Sequence, residues 1–227
     1  MNINKQWIIA INHIKMEKSS YTSEQLFLIA DQMKKCLCRI ILKDMSWTGF
    51  FCKFLLPNKN IYVHALITAN YIINEKMLQE GIPINITFDN NRENRIINIK
   101  NDRKVYINKE SDITIIEIKE RDGITNFLEL DENICNPDIL RKTSIYFLYY
   151  LGEENTSRVS FGMIYNIEKN KILYDCSSGM GSGGGPLLSS ISHKVIGIHI
   201  GKFEPKNLNI GSLLSQTVSV FFNNYLK

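Results

Sequence analysis

The spacing of apolar positions changes twice along this chain. Thr22 followed by Gln25 has the form of a capping box, and Leu26, Ile29, Met33 and Leu37 then recur at helical intervals, which predicts an amphipathic helix over 23–36. Beyond it the pattern becomes that of short strands. β-rich runs at 38–42, 49–55, 62–68, 84–88, 95–99, 104–107 and 113–118 alternate with polar turn clusters such as Pro57-Asn58-Lys59-Asn60 and Asp89-Asn90-Asn91. A Gly/Asn/Asp-rich connection, 122–123 and then 131–138, leads to a second set at 144–149, 157–164, 171–174, 186–189, 194–200 and 209–214. Val218, Phe221, Phe222, Tyr225 and Leu226 then return to helical spacing in a stretch free of Gly and Pro, which predicts a closing helix. Two strand groups of similar size imply an all-β chain of two stacked barrels. The division expected is a helical extension over 1–38, a first barrel over 39–130 and a second barrel with its helix over 131–227.

Composition narrows the chemistry. At 227 residues and 44% hydrophobic, the chain buries a substantial core without metal or disulfide staples. Its net charge of +4 comes from 27 basic and 23 acidic residues spread along the chain, with no basic block to track phosphates, so no nucleic-acid partner is expected. Five cysteines (Cys36, Cys38, Cys52, Cys135, Cys176) are an odd number and form no C-x-x-C pair, which argues against a disulfide framework and a zinc site. No metal and no cofactor is expected. The apolar run 7–11 is too brief for a signal-peptide core, and no run is long enough to span a bilayer, so the reading is an intracellular, cytoplasmic protein without a membrane partner.

The most informative stretch is Gly181-Ser182-Gly183-Gly184-Gly185-Pro186-Leu187-Leu188, followed by Val195-Ile196-Gly197-Ile198-His199-Ile200-Gly201. Such a glycine run can be a plain turn or a phosphate cradle, but no helix with Lys-Ser/Thr follows it. It resembles the Gly-x-Ser-Gly-Gly-Pro-Leu of trypsin-like (chymotrypsin-fold) serine proteases, whose next strand lines the substrate pocket. Upstream, Trp47-Thr48-Gly49-Phe50-Phe51 is similar to that family's Gly-x-Gly-Phe strand, and Leu66-Ile67-Thr68-Ala69-Asn70-Tyr71 to its Leu-Thr-x-x-His segment. Ser111-Asp112-Ile113-Thr114-Ile115-Ile116 is similar to its Asp-Ile-Ala-Leu-Leu. The motifs occur in the family order His, Asp, Ser, and the likeness covers roughly residues 39–214. It implies two six-stranded antiparallel Greek-key barrels with an N-terminal and a C-terminal helix.

The departures bear directly on function. Register with the family places Gly183 at the nucleophile, Tyr71 at the general base and Asp112 as the one retained triad member, with Gly181, Ser182 and Gly183 forming the oxyanion hole. Glycine has no atom with which to attack a carbonyl, and tyrosine, with a pKa near about 10, does not take a proton as imidazole does. Ser182 lies one residue early to replace the nucleophile. His64, His13 and His193 are not placed to act as base, and Cys176 reads as a pocket-wall or core thiol. Ser182 also stands where trypsin carries the aspartate that pairs with a newly cut amino terminus, so activation by cleavage is not expected.

Asp112 reads either as a polar strand start or as the triad aspartate, with its carboxylate expected to accept a hydrogen bond from the Tyr71 hydroxyl. Strand alternation puts Ile196, Ile198 and Ile200 on a core face and Gly197, His199 and Gly201 on the cleft face. By likeness to viral cysteine proteases of this fold, His199, Ile200 and Gly201 would bind substrate, His199 favouring a neutral amide. A satisfied interior histidine is the other reading. The resulting expectation is a protease homologue without catalysis that binds a peptide or protein in the former substrate groove. The alternatives are an active intracellular serine endopeptidase, or a subunit whose groove its own loops fill.

Overall fold

A computed structural model describes residues 20–42, 45–56, 60–88, 93–100, 102–152, 156–203 and 208–225. Thr22 caps helix α1 (Ser23–Cys36) through the capping box its sequence announces, with Gln25 as the reciprocal partner. The helix ends without a linker, since its C-cap, Leu37, is the first residue of strand β1 (Leu37–Leu42). Ile29 is buried and Met33 partly so, but Leu26 is half-exposed, so the buried stripe is narrower than the spacing implies.

The first sheet continues with β2 (Met45–Leu55) and β3 (Tyr62–Ala69), then helix α2 (Glu75–Gln79), β4 (Ile84–Thr87), β5 (Asn94–Ile97), β6 (Val105–Asn108) and β7 (Ile113–Glu117). Its strands lie in the order β5-β4-β1-β2-β3-β7-β6, with a short parallel strand, β8 (Leu128–Glu129), beside β2. This half of the double barrel therefore has more than six strands and an open hydrogen-bonded path. Its ends, β5 and β6, carry the polar, half-exposed residues that tolerate an edge.

Helix α3 (Pro137–Leu140) leads into the second barrel: β9 (Ser144–Tyr150), β10 (Ser157–Glu168), β11 (Lys171–Tyr174), β12 (Pro186–Ser189), β13 (Val195–Phe203) and β14 (Leu208–Leu213). These six close completely in the order β10-β11-β14-β13-β12-β9. Alternation along β9 explains why it is apolar on both faces. Ile145, Phe147 and Tyr149 fill the barrel with Ile164, Ile172, Tyr174, Leu187 and Leu213, whereas Tyr146, Leu148 and Tyr150 join the larger core that runs on through the first barrel. The barrels thus share a dry contact. Helix α4 (Ser215–Tyr225) returns to the first barrel, where Phe221 and Phe222 pack edge-on against Phe54. The predicted face is realised at Val218, Phe221 and Phe222; Leu226, the Tyr225 side chain, the run 7–11, His13 and the 89–91 turn lie outside the described residues.

Register shifts interrupt simple alternation between Ile164 and Asn166, between His199 and Gly201, and between Leu187 and Leu188, and the last bears on the site. β12 and β13 slip between Leu187 and Leu188, which leaves Ile196 as an extra residue, a β-bulge that changes which face the following side chains take. The isoleucines consequently divide: Ile196 belongs to the second-barrel core, Ile198 to the shared core, and Ile200 is only partly buried.

Candidate functional site

The frame of the site is the loop 179–185, which both barrels hold. From β2, the Thr48 N–H donates to the Gly183 carbonyl (3.1 Å) and Thr48 Oγ1 donates to that of Gly181 (2.9 Å). From β13, the His199 carbonyl accepts from the Gly184 N–H (3.0 Å) and the His199 N–H donates to the Gly185 carbonyl (2.9 Å). Thr48 Oγ1 also accepts from the Tyr150 N–H (2.9 Å), so one hydroxyl ties three strands of chain together. Gly181 and Gly184 have left-handed φ values of 86° and 83°. A Cβ at Gly184 would be driven into the Thr48 carbonyl, and one at Gly181 would lie 2.5 Å from the Gly152 nitrogen. Backbone approach alone requires glycine at both.

Gly183 is different. Its φ is not left-handed, and the only close neighbours of an added Cβ are atoms of Tyr71, the hydroxyl inside contact distance and Cζ at 2.9 Å; Trp47 stands at an ordinary 3.6 Å. The phenol occupies the volume that a side chain at 183 would need. Trp47 meets the Tyr71 ring edge-on, with centroids 5.4 Å apart.

Tyr71 and Asp112 are neighbours because β3 and β7 end in register, Ala69 opposite Ile113, and the Asn70 N–H then bonds the Asp112 carbonyl (3.1 Å). Asp112 has a left-handed φ of 58°, and its Oδ1 accepts the backbone N–H of Tyr71 at 3.0 Å. The expected bond from the Tyr71 hydroxyl to Asp112 is absent, because the backbone takes the carboxylate while the side chain runs on to Gly183. Burial raises the Asp112 carboxyl, against the Tyr71 N–H and the positive charge of Lys171. Lys171 reaches over from the second barrel, where its Nζ donates to Ser212 Oγ (2.9 Å) and to the Glu110 carbonyl (3.2 Å). Burial and the Asp112 charge push the Tyr71 phenol up to about 12, so it is a proton donor at neutral pH.

The proposed oxyanion residues separate into two kinds. Ser182 turns inward: its N–H donates to the Gly179 carbonyl (3.1 Å) and its Oγ donates to the same oxygen (2.6 Å). It contributes no donor to the cleft and is a loop staple, a correction to its expected place in the hole. The N–H groups of Gly181 and Gly183, both in buried residues, have no acceptor among the described residues.

His199 is buried, with Nδ1 2.6 Å from the Tyr174 hydroxyl and its ring 5.0 Å from that of Phe147. Those partners belong to the second-barrel core, so the bulge at Ile196 has turned the histidine toward the barrel interior. Burial, with Lys202 adding, lowers its pKa to about 3, and the imidazole is neutral. Downstream, Gly201–Phe203 pair with β14 alone among the described residues, and a Cβ at Gly201 would meet none of them within 4 Å.

Other candidates lie elsewhere. His64 stacks on Phe127 (4.1 Å) five residues before the end of β3, roughly 17 Å along the strand. His193 sits on the β12–β13 turn against helix α1, and Cys176 is a buried thiol of the second-barrel core. Sequence reading missed Thr48 and Lys171. Thr48 could have been found from its place inside the Trp47-Thr48-Gly49-Phe50 motif, whereas nothing local marks Lys171.

No family model matches the chain, and no curated protein matches it in sequence. Solved structures do match. The structure is similar to Deg5 (TM-score 0.62, 16% identity, covering 89% of this chain and 95% of that one). It is similar to an inactive serine-to-alanine mutant of Rv3671c from M. tuberculosis H37Rv (0.61, 10%, 85% and 87%). The serine protease domain of the Sesbania mosaic virus polyprotein also matches (0.57, 17%, 82% and 91%). The chain therefore has the two-barrel fold of trypsin-like serine proteases.

Proposed function

We propose that this chain is a non-cleaving member of the fold that holds an extended peptide or protein segment along the old substrate groove. The observation that carries this reading is the Tyr71 hydroxyl in the volume of a Cβ at residue 183, with no imidazole beside Asp112 among the described residues. The acyl-enzyme route needs a nucleophilic oxygen or sulfur and a base to take its proton, and here a protonated phenol stands in place of both. In enzymes of this chemistry, loss of the serine or the histidine alone lowers turnover on the order of 10⁶-fold. Binding is supported separately. The edge at Gly201–Phe203, which pairs with β14 alone among the described residues, offers backbone groups for strand addition.

A fluorophosphonate probe tests the reading. The natural chain is expected to stay unlabelled, as is Gly183→Ser alone, because the Tyr71 phenol blocks the new hydroxyl. The double variant Tyr71→His/Gly183→Ser clears the volume and supplies a base. Stoichiometric labelling of the natural chain overturns the proposal.

A further inference from the structure

The cleft contains donors and no acceptor to match them. The N–H groups of Gly181 and Gly183 are unbonded among the described residues, and so is the Tyr71 hydroxyl, which lies against the Cα of Gly183. A working protease centre would set an imidazole acceptor and a hydroxyl beside the two N–H groups. Exchanging both for one phenol leaves a cradle that only donates. Asp112, the nearest acid, does not fill it: its Oδ1 is bonded to the Tyr71 N–H, and the charge of Lys171 acts on it from the other side. A carbonyl oxygen in mid-peptide satisfies such a cradle weakly. A carboxylate offers two anionic oxygens, and hydrogen bonds to an ionised acceptor are roughly twice as strong as neutral ones.

We infer that the groove selects the carboxyl terminus of a polypeptide, its free α-carboxylate seated on Gly181 N–H, Gly183 N–H and the Tyr71 hydroxyl. This rests on the peptide-binding reading above and gives it a direction. The residues before the carboxylate run along the open edge at Gly201–Phe203, where a Cβ at Gly201 would meet nothing within 4 Å among the described residues. The exposed Met180 and the half-exposed Tyr71 flank the cradle with apolar surface. There is no bond to break, since the chain of the ligand stops where a scissile amide would begin.

Immobilised protein is incubated with a mixed heptapeptide library made in two forms, one with a free C-terminal carboxylate and one with a C-terminal amide, and retained peptides are quantified by mass spectrometry. Retention of the carboxylate form about tenfold above the amide form is expected. In Tyr71→Phe the ratio of carboxylate to amide retention should fall severalfold. Equal retention of both forms overturns the carboxylate inference and leaves the groove reading standing. Retention of neither form overturns both. An undiminished preference in Tyr71→Phe removes the phenol from the cradle and overturns the three-donor site as drawn.

Discussion

The two sides of the cleft have fared differently. On the second-barrel side, the loop 179–185 is fixed through its backbone, held by Thr48 from one barrel and the His199 strand from the other. On the first-barrel side, the corner at Tyr71 and Asp112 is set by strand register and carries a side chain that fills the space beside Gly183. The loop is part of how the barrels hold together, so its glycines are constrained by folding whether or not anything is cleaved. The corner is half-exposed, so its side chain is open to change. Glycine at 181 and 184 is therefore dictated by the fold, whereas glycine at 183 answers to the side chain at residue 71.

The sharpest way to break this comparison is to place the same methyl group on both sides. Gly184→Ala forces a left-handed backbone and a Cβ into the Thr48 carbonyl, and is expected to lower stability by about 3–5 kcal/mol in urea unfolding. Gly183→Ala meets only the end of a side chain and should lower it by about 1 kcal/mol. In a Tyr71→Ala background the sign should invert, with Gly183→Ala stabilising by about 0.5 kcal/mol because its φ suits alanine. Equal losses at 183 and 184 would mean that the loop, not the phenol, dictates glycine at 183.

The next effect concerns His199. Its pKa falls from 6.5 in the unfolded chain to about 3 when folded, so below pH 6.5 the unfolded chain takes up a proton that the folded one refuses. Stability is full above that pH and should decline by about 2 kcal/mol on going down to pH 5. His199→Gln should flatten this part of the profile. A profile unchanged by the substitution would place the histidine in water.

The smallest expected effect is at Lys171. Its Nζ joins β11 to the Glu110 carbonyl and faces Asp112 across the barrels, and Lys171→Met should lower stability by roughly 1 kcal/mol. Loss of the loop geometry in that variant would show that the charge, and not Thr48, sets the frame.

Much of this was legible in the chain because strand pattern and motif order are local properties. The runs at 38–42, 62–68, 113–118 and 171–174 lie on observed strands, and the three motifs are folded into one cleft. What escaped depends on geometry that spacing does not encode. A single extra residue at Ile196 reverses the face of the side chains that follow, so the isoleucines could not be grouped correctly by alternation. The hydroxyl of Tyr71 went to Gly183 instead of Asp112 because the aspartate, in a left-handed conformation, accepts the backbone N–H first. The strand of the first sheet that the runs omit, β8, is only Leu128–Glu129, too short for alternation to mark it.

Helix α1 carries a last consequence. It runs without a linker into β1 of one barrel, while Gln32 donates to the His193 carbonyl (2.9 Å), the Tyr146 hydroxyl donates to Gln32 (2.7 Å), and Tyr21 shares a hydrogen bond with Ser190 (2.6 Å), all on the other. A segment fastened at both ends acts as a strut, and rocking one barrel away from its neighbour would tear these bonds. Removing this segment would therefore take away three hydrogen bonds that tie the stretch leading into β1 to the second barrel.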